Sequence, residues 1–233
     1  MTTQHFTVRD VIRETPRAIL LRLHAAGGRF AFSAGQAAMV GLADRVERKP
    51  YSIASPPEEL RRTGSIEFLM EAGPDGRDRP NLAGVEPGRL VAVEGPIGGF
   101  VLPRRLPREL LCVAGGTGIA PLRSMIASAL ARADTPSITL VYSARTPAEF
   151  AFFGELRRLA RQRRIRLYTT VTREAGRTWR GRRGRIQQAW IRTFVGRRNP
   201  LCFVCGPEPF VVSMMGMLHD AGVPARNIRR ERY

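Results

Sequence analysis

Lysine is nearly absent from this chain: Lys49 is the one lysine among 38 basic residues, and the rest are arginine. Cysteine is scarce as well, with Cys112, Cys202 and Cys205 only. Three cysteines exclude a disulfide-built scaffold and leave no cysteine-rich segment for an iron–sulfur cluster of the chain's own. Cys202 and Cys205 form a C-x-x-C, which invites a redox or metal reading. The surrounding "LCFVCGP" reads as a strand, however, where residues three apart point to opposite faces. No apolar run reaches membrane-spanning length. The opening "MTTQHFTVRDVIRE" lacks the apolar stretch of a secretory leader, so the expected compartment is cytoplasmic. Aromatic residues make up 7% and are not interleaved with the basic runs. With none of the usual recognition motifs present, that pattern speaks against nucleic-acid binding despite the charge.

What is present fits two small domains. The chain has 233 residues, 43% of them hydrophobic, and a net charge of +18. A field this positive favours anionic partners. Up to about Leu102 the chain reads as short strands separated by Gly and Pro turns: "HFTVRDVIRE", "AILLRLHA", "AAMVGL", "YSIAS", "SIEFLME" and "RLVAVEGP". Ile19, Leu21 and Leu23 alternate with Arg22 and His24, as on a half-buried strand. Six such strands predict an antiparallel β-barrel over residues 1–104, since closure removes exposed edges. From residue 105 to 233 apolar strands alternate with helical stretches. That order predicts an α/β domain with a parallel sheet covered on both faces. Ligands of such sheets bind at the carboxyl ends of the strands.

The sharpest local feature is "LLCVAGGTGIAPLRSMI". A buried strand runs into Gly115, Gly116, Thr117 and Gly118, and Pro121 opens a helix. Glycines let the backbone turn tightly and approach a ligand, while the helix N-terminus presents unpaired N–H groups. A pyrophosphate across the turn is the physical expectation; a tight strand-to-helix turn without a ligand is the alternative. It is not the Rossmann G-x-G-x-x-G, because proline takes the last position.

Five motifs in order resemble the ferredoxin–NADP reductase superfamily over essentially the whole chain. "KPYSIAS" looks like the family's Arg-x-Tyr-Ser-x-x-Ser flavin motif, "GPIGGF" like the segment leading out of its barrel, and "GGTGIAP" like its dinucleotide pyrophosphate loop. "CGPEPF" is similar to its Cys-Gly-Pro motif, and the final "ERY" to its Glu-x-aromatic end. The resemblance implies a barrel that binds FAD, with FMN second. It also implies an α/β domain that takes NADPH, with NADH second. The cofactor-binding set would be Lys49, Pro50, Tyr51, Ser52 and Ser55 on the flavin, with Gly115, Gly116, Thr117, Gly118, Pro121, Gly206 and Pro207 on the dinucleotide. Ser52 would stand near flavin N5, Cys205 beside the nicotinamide, Glu231 close to Ser52 for proton passage, and Tyr233 over the flavin face. "TVTRE" is similar to the pair that reads the 2′-phosphate, giving Thr172 and Arg173 that role, with Arg177, Arg180, Arg182 and Arg183 as further candidates. The alternative is that these arginines coat a solvated loop.

Two departures from the family pattern stand out. Lys49 replaces the arginine expected to pair with a flavin phosphate, keeping the charge but losing the planar fork. Arg48 could supply a guanidinium, although an adjacent strand residue points to the other face. Arg79 stands where some members place the serine of a Gly-x-x-Ser turn. It could hold a pyrophosphate by charge-assisted bonds. The implied activity is electron transfer from NADPH through flavin to an acidic ferredoxin or flavodoxin. Alternatives are an NAD(P)H:flavin reductase that uses flavin as a diffusing substrate and an oxygenase reductase component.

Overall fold

The computed structural model describes residues 2–27, 30–72, 82–173, 176, 179–196 and 199–233. The first half forms one antiparallel sheet from β1 (Thr2–Thr15), β2 (Ala18–Ala25), β3 (Ala37–Leu42), β4 (Lys49–Ser52), β5 (Ser65–Glu71) and β6 (Leu90–Ile97), in the order β4-β3-β6-β1-β2-β5. All six strands read from the sequence are present. The sheet curls into a barrel that does not close completely. Between β4 and β5 the ladder is replaced by an isolated Ile53–Phe68 bridge and an Ala54 N–H to Glu67 carbonyl bond of 2.7 Å. β4 is only four residues long and contains Pro50, which has no N–H to donate. Expected closure therefore gives way to a gap, and Tyr51 and Ser52 lie beside it.

Inside the barrel, the predicted alternation of β2 is realised. Leu21 and Leu23 are fully buried with Phe6, Val40, Phe68 and Val93, and Ile19 packs on the edge of this core. Ala18 and Leu20 point the other way and are buried too, against the second half of the chain. Arg22 on that face is bonded to Glu67 (2.8 Å) and Asp10 (2.9 Å). A short helix, α1 (Pro57–Thr63), was not read from the sequence; it begins at a proline and ends at Gly64 in the left-handed region.

The second half is a parallel sheet of β7 (Glu109–Gly115), β8 (Ser137–Ala144), β9 (Arg166–Val171), β10 (Arg182–Arg183), β11 (Leu201–Gly206) and β12 (Ile228–Arg232), ordered β10-β9-β8-β7-β11-β12. Helices α2 (Ile119–Leu130) and α3 (Phe153–Arg161) cover one face; α4 (Gln188–Val195) and α5 (Glu208–Asp220) cover the other. β10 and β12 escaped the sequence reading because they are short and arginine-rich, without an apolar run. In the stretch "AEFAFFGELRRLARQR" the helix starts only at Phe153, after Phe152 in the left-handed region. Among the described residues no helix is long and apolar enough to cross a membrane.

The two halves share a core: Ala18, Leu20, Ala54, Leu69, Phe100 and Leu102 pack with residues of α2 and β7. Polar bonds then fix their register. Arg123 of α2 reaches across to Glu67 of β5 (2.6 Å) and the Ala54 carbonyl (3.1 Å), and its Nε bonds Glu155 of α3 (2.9 Å). Its guanidinium also lies 4.3 Å from the centre of the Phe152 ring. The Ser124 hydroxyl donates to the Ser55 carbonyl (2.8 Å), and Phe152 N–H donates to Glu14 of β1 (2.7 Å). Burial alone would raise the Glu67 carboxyl, but the Arg123 charge and hydrogen bond, with those of Arg22, hold it below the ordinary carboxylate range. The Glu67 side chain is 5% exposed and that of Arg123 is 14% exposed, so solvent does little to screen the pair.

Removing one partner would leave the other charge buried and unmatched. Arg123→Ala is expected to cost about 3–5 kcal/mol, read as a lower urea midpoint; a loss under about 1 kcal/mol would mean that the pair behaves as a surface one. The Glu67 contribution is present above the unfolded carboxylate pKa and disappears as pH falls through the lower folded value. Acid unfolding of Glu67→Gln should lack that component.

Candidate active site

The seam between the halves gathers the ends of β4, β7, β11 and β12. β12 runs parallel to β11 with Cys205 opposite Glu231, so the last strand carries the carboxylate to the carboxyl end of the sheet. There the Ser52 hydroxyl meets Glu231 Oε2 at 3.2 Å. Three segments far apart in the sequence thus converge, bringing together Ser52, Cys205 and the Glu231–Tyr233 end. Burial raises the Glu231 carboxyl, and the Ser52 hydrogen bond only partly offsets this. Its proton is therefore held to higher pH than on an ordinary carboxylate.

Cys205 is buried, and its thiol is pushed well above the ordinary range by burial and the nearby Glu231 charge. Burial also pushes Cys202 up to about 12, and Cys112 likewise with the help of Cys202. All three cysteines are free. Cys202 packs under α4 and α5, while Cys205 packs on the opposite face of the sheet. The C-x-x-C spacing therefore produces no dithiol, and protonated thiols do not make metal ligands or nucleophiles. Among the described residues no cluster of three His, Cys, Asp or Glu side chains could hold a metal ion.

The glycine turn forms the adjoining wall. β7 ends at Gly115, Gly116–Gly118 form a single 3-10 turn, and α2 follows with Pro121 buried in its first turn. A Cβ on Gly118 would stand 2.3 Å from the Cys205 carbonyl oxygen, so any larger residue would push the turn off β11. Gly116 has φ +56, and a Cβ there would meet the Tyr233 hydroxyl at 3.3 Å. That hydroxyl accepts from Gly118 N–H (3.2 Å) and donates to the Gly115 carbonyl (2.9 Å). Burial pushes it up to about 12. From below, the Tyr142 hydroxyl donates to the Gly116 carbonyl and accepts from Ala151 N–H, both at 3.1 Å.

Beyond the turn opens a cavity of about 870 Å³. Thr172, Arg173 and Pro207 of the predicted set line it, with Gly115, Gly116 and Thr117. Gly206 sits behind this wall, packed on the Phe210 ring and Gly115. Arg182 and Arg183 do not reach the cavity lining: Arg182 lies over the Trp190 ring at 4.0 Å, and Arg183 bonds the Gly176 carbonyl. Arg180 is also absent from the lining. Arg79 and Arg177 lie outside the described residues. The structure instead adds Arg145 and Arg185 to the rim beside Arg173. Arg145 directly follows β8, where the carboxyl end of a parallel strand is itself a signal. Arg185 closes the same arginine run, and nothing local distinguishes it from its neighbours.

On the barrel side the predicted residues separate. Tyr51 is half-buried against the barrel core, while Pro50 and Lys49 are exposed. Lys49 Nζ stands 3.9 Å from Glu47, and Arg48 pairs with Glu94 at 3.4 Å while its buried Nε has no partner. Ser55 lies between the halves but does not line the cavity. It is fully buried, its hydroxyl accepting from Glu67 N–H (3.0 Å) as its carbonyl accepts from Ser124.

These residues fit the two groups that the fold implies. A glycine turn that tolerates no Cβ, opening a helix beside three arginines, suits a phosphate-bearing dinucleotide. A half-buried tyrosine, a hydroxyl beside a proton-holding carboxyl and an unpartnered buried guanidinium N–H suit a flavin and its phosphate.

Comparison with known proteins agrees. Residues 112–215 match the family model described as an oxidoreductase NAD-binding domain. The chain is 32% identical over 219 residues to a ferredoxin–NADP reductase B of Sorangium cellulosum, covering 90% of this chain and 88% of that protein. It is 28% identical to reductase component 1 of a terephthalate 1,2-dioxygenase from Comamonas, covering 93% of this chain but 64% of that longer protein. The crystal structure of an Amycolatopsis cytochrome P450 reductase superposes with a TM-score of 0.85 at 24% identity, over 99% of this chain and 69% of that one, which supports the fold. The chain belongs to the ferredoxin–NADP reductase superfamily of NAD(P)H-dependent flavoprotein oxidoreductases.

Proposed function

We propose that this chain takes a hydride from NADPH onto bound FAD and passes the electrons singly to a separate acidic redox protein of the ferredoxin or flavodoxin type. The observation that carries the reading is the Ser52–Glu231 contact of 3.2 Å beside Cys205, whose backbone packs against the glycine turn. The division we propose places the flavin domain at residues 1–104 and the dinucleotide domain at 105–233. Residues from both are then needed for one site.

FAD, when bound, supplies the conversion between two-electron and one-electron chemistry. The protein's part is to position and to hold protons. Tyr51, Ser52 and the Arg48 guanidinium would hold the flavin, with Lys49 free to swing from its loose contact with Glu47. The glycine turn would seat the pyrophosphate on Gly118 N–H once the Tyr233 hydroxyl moves off it. Arg145, Arg173 and Arg185 would receive the 2′-phosphate, which is why NADPH is favoured over NADH. Glu231, neutral to higher pH than an ordinary carboxylate, would hold a proton on Oε2 for exchange through the Ser52 hydroxyl. Cys205, small and protonated, would leave room beside the reacting carbon of the nicotinamide. The surface is strongly basic, so an acidic carrier would be drawn toward it at low salt.

A second reading has its own support. Lys49 is exposed and paired with Glu47 instead of pre-set in a phosphate clamp. Weak flavin retention would make the chain an NAD(P)H:flavin reductase that uses flavin as a diffusing substrate. The similarity to a dioxygenase reductase component supports a role as an oxygenase reductase component as a variant of the first reading.

The test is to mix the purified protein with a slight excess of FAD, desalt it and record the visible spectrum. Retained flavin, reducible by NADPH and reoxidised by an acidic ferredoxin with a salt-sensitive rate, is the expected result. If FAD and FMN both wash away while NADPH still reduces free flavin, the second reading replaces the first. Ser52→Ala should retain flavin yet slow its reduction by NADPH about 10²-fold or more; an unchanged rate would remove Ser52 from the site. Arg173→Ala should raise KM for NADPH about 10–100-fold, the usual effect of losing a hydrogen bond to a charged group. KM for NADH should stay within a factor of a few, and equal losses would place Arg173 elsewhere.

A further inference from the structure

One wall of the dinucleotide cavity comes from the first sheet. Thr15, Arg17, Ala18 and Glu71 line it together with the glycine turn and the arginine rim. Arg17 is the second residue of the two-residue turn joining β1 to β2, where Thr15 pairs with Ala18. Its backbone is held on both sides: its N–H donates to Thr15 Oγ1 (3.2 Å), and its carbonyl accepts from Ala72 N–H (2.7 Å). The guanidinium Nη2 stands 3.5 Å from Glu71 Oε1, and both side chains are about half exposed. The turn is therefore fixed while the guanidinium is free to choose a partner.

Glu71 creates the electrostatic problem. β5, which ends in Glu71, packs against the glycine turn. The Glu71 charge reaches far enough to help raise the Tyr233 hydroxyl, which rests on Gly118 N–H. A pyrophosphate seated on that turn would thus stand within range of a carboxylate, an unfavourable like-charge contact in a partly enclosed cavity. A cation on the same wall cancels it, and arginine suits the task because its planar fork can bond two phosphate oxygens at once.

We propose that Arg17, supplied by the first sheet, binds the pyrophosphate of the incoming dinucleotide from the wall that carries Glu71, and that Glu71 holds it when the cavity is empty. This role rests on the reading of the glycine turn as the pyrophosphate seat. The ligand then bridges the two halves of the chain, with Gly118 N–H on one side and Arg17 on the other. Because the pyrophosphate is common to NADH and NADPH, Arg17 serves both equally, whereas the Arg145–Arg173–Arg185 rim tells them apart.

Calorimetric titration of the full chain with NADP⁺ and with NAD⁺ tests this without any turnover. Arg17→Gln is expected to weaken both ligands by about tenfold with an unchanged melting temperature, since the side chain lies at the surface. Arg17→Lys should recover part of the loss. Glu71→Gln should leave both affinities within twofold or tighten them. The role of Arg17 is overturned if Arg17→Gln binds both ligands as wild type does, or loses NADP⁺ alone. It is overturned too if Glu71→Gln weakens binding as much as Arg17→Gln, because the pair would then merely support the wall. Wild-type protein that binds neither ligand would overturn the pyrophosphate reading of the glycine turn itself.

Discussion

The ion pair between Arg123 and Glu67 is the constraint on which the site depends. Arg123 stands in the second turn of α2, the helix that the glycine turn opens, and Glu67 stands on β5, one residue from the bridge to Ile53. This buried contact of 2.6 Å, with the Arg123–Ala54 and Ser124–Ser55 bonds, sets the glycine turn against the end of β4. Reaction geometry is sensitive to displacements of about 1 Å. A site divided between two sheets needs such a tie, since the apolar core that the halves share is non-directional and does not by itself fix their register. The tie is also conditional on charge: Glu67 must remain ionised in a place where burial opposes ionisation, and two arginines make that possible.

At the seam, burial acts on the groups that face the site without an arginine to offset it. Glu231, Cys205 and the Tyr233 hydroxyl are all raised, chiefly by burial, so each holds its proton to higher pH than it would in water. The Tyr233 hydroxyl also occupies hydrogen-bonding positions on the glycine turn that would otherwise be open, keeping them satisfied without a ligand. The terminal strand is what makes this possible, because pairing with β11 delivers both Glu231 and Tyr233 to the carboxyl end of the sheet.

Many of the arginines that give the chain its positive charge also have partners inside the fold. Arg22 and Arg123 neutralise buried carboxylates; Arg132 and Arg164 cap the carbonyls of Pro103, Arg104 and Leu130; Arg166 bonds Thr139 and Ser137; Arg182 packs on Trp190. Several of these uses rely on the planar fork and its multiple donors, which lysine lacks. Near-complete replacement of lysine therefore has a structural side. The one retained lysine lies on an exposed strand end, where a pre-set fork is not engaged.

Patterns of a few residues settled much of this protein from the sequence alone. The six barrel strands, the alternation of β2, the parallel α/β half and the glycine turn all follow from local periodicity and turn chemistry, which act over neighbouring residues. Short β10 and β12 stayed hidden because Arg182–Arg183 and Ile228–Arg232 carry no apolar run; their pairing partners are what make them strands. Closure of the barrel was decided by Pro50 and the short β4, a matter of unmatched donors across two distant strands. Arg185 was indistinguishable in the sequence from the arginines that proved to be packed elsewhere, since a charge shows its partner only when the chain folds; Arg145 was marked only by its place at the end of β8. The meeting of Ser52 with Glu231, of Arg123 with Glu67 and of Arg17 with Glu71 was likewise the work of tertiary structure, because each joins residues that only the docking of strands and sheets brings within hydrogen-bonding or ion-pair distance.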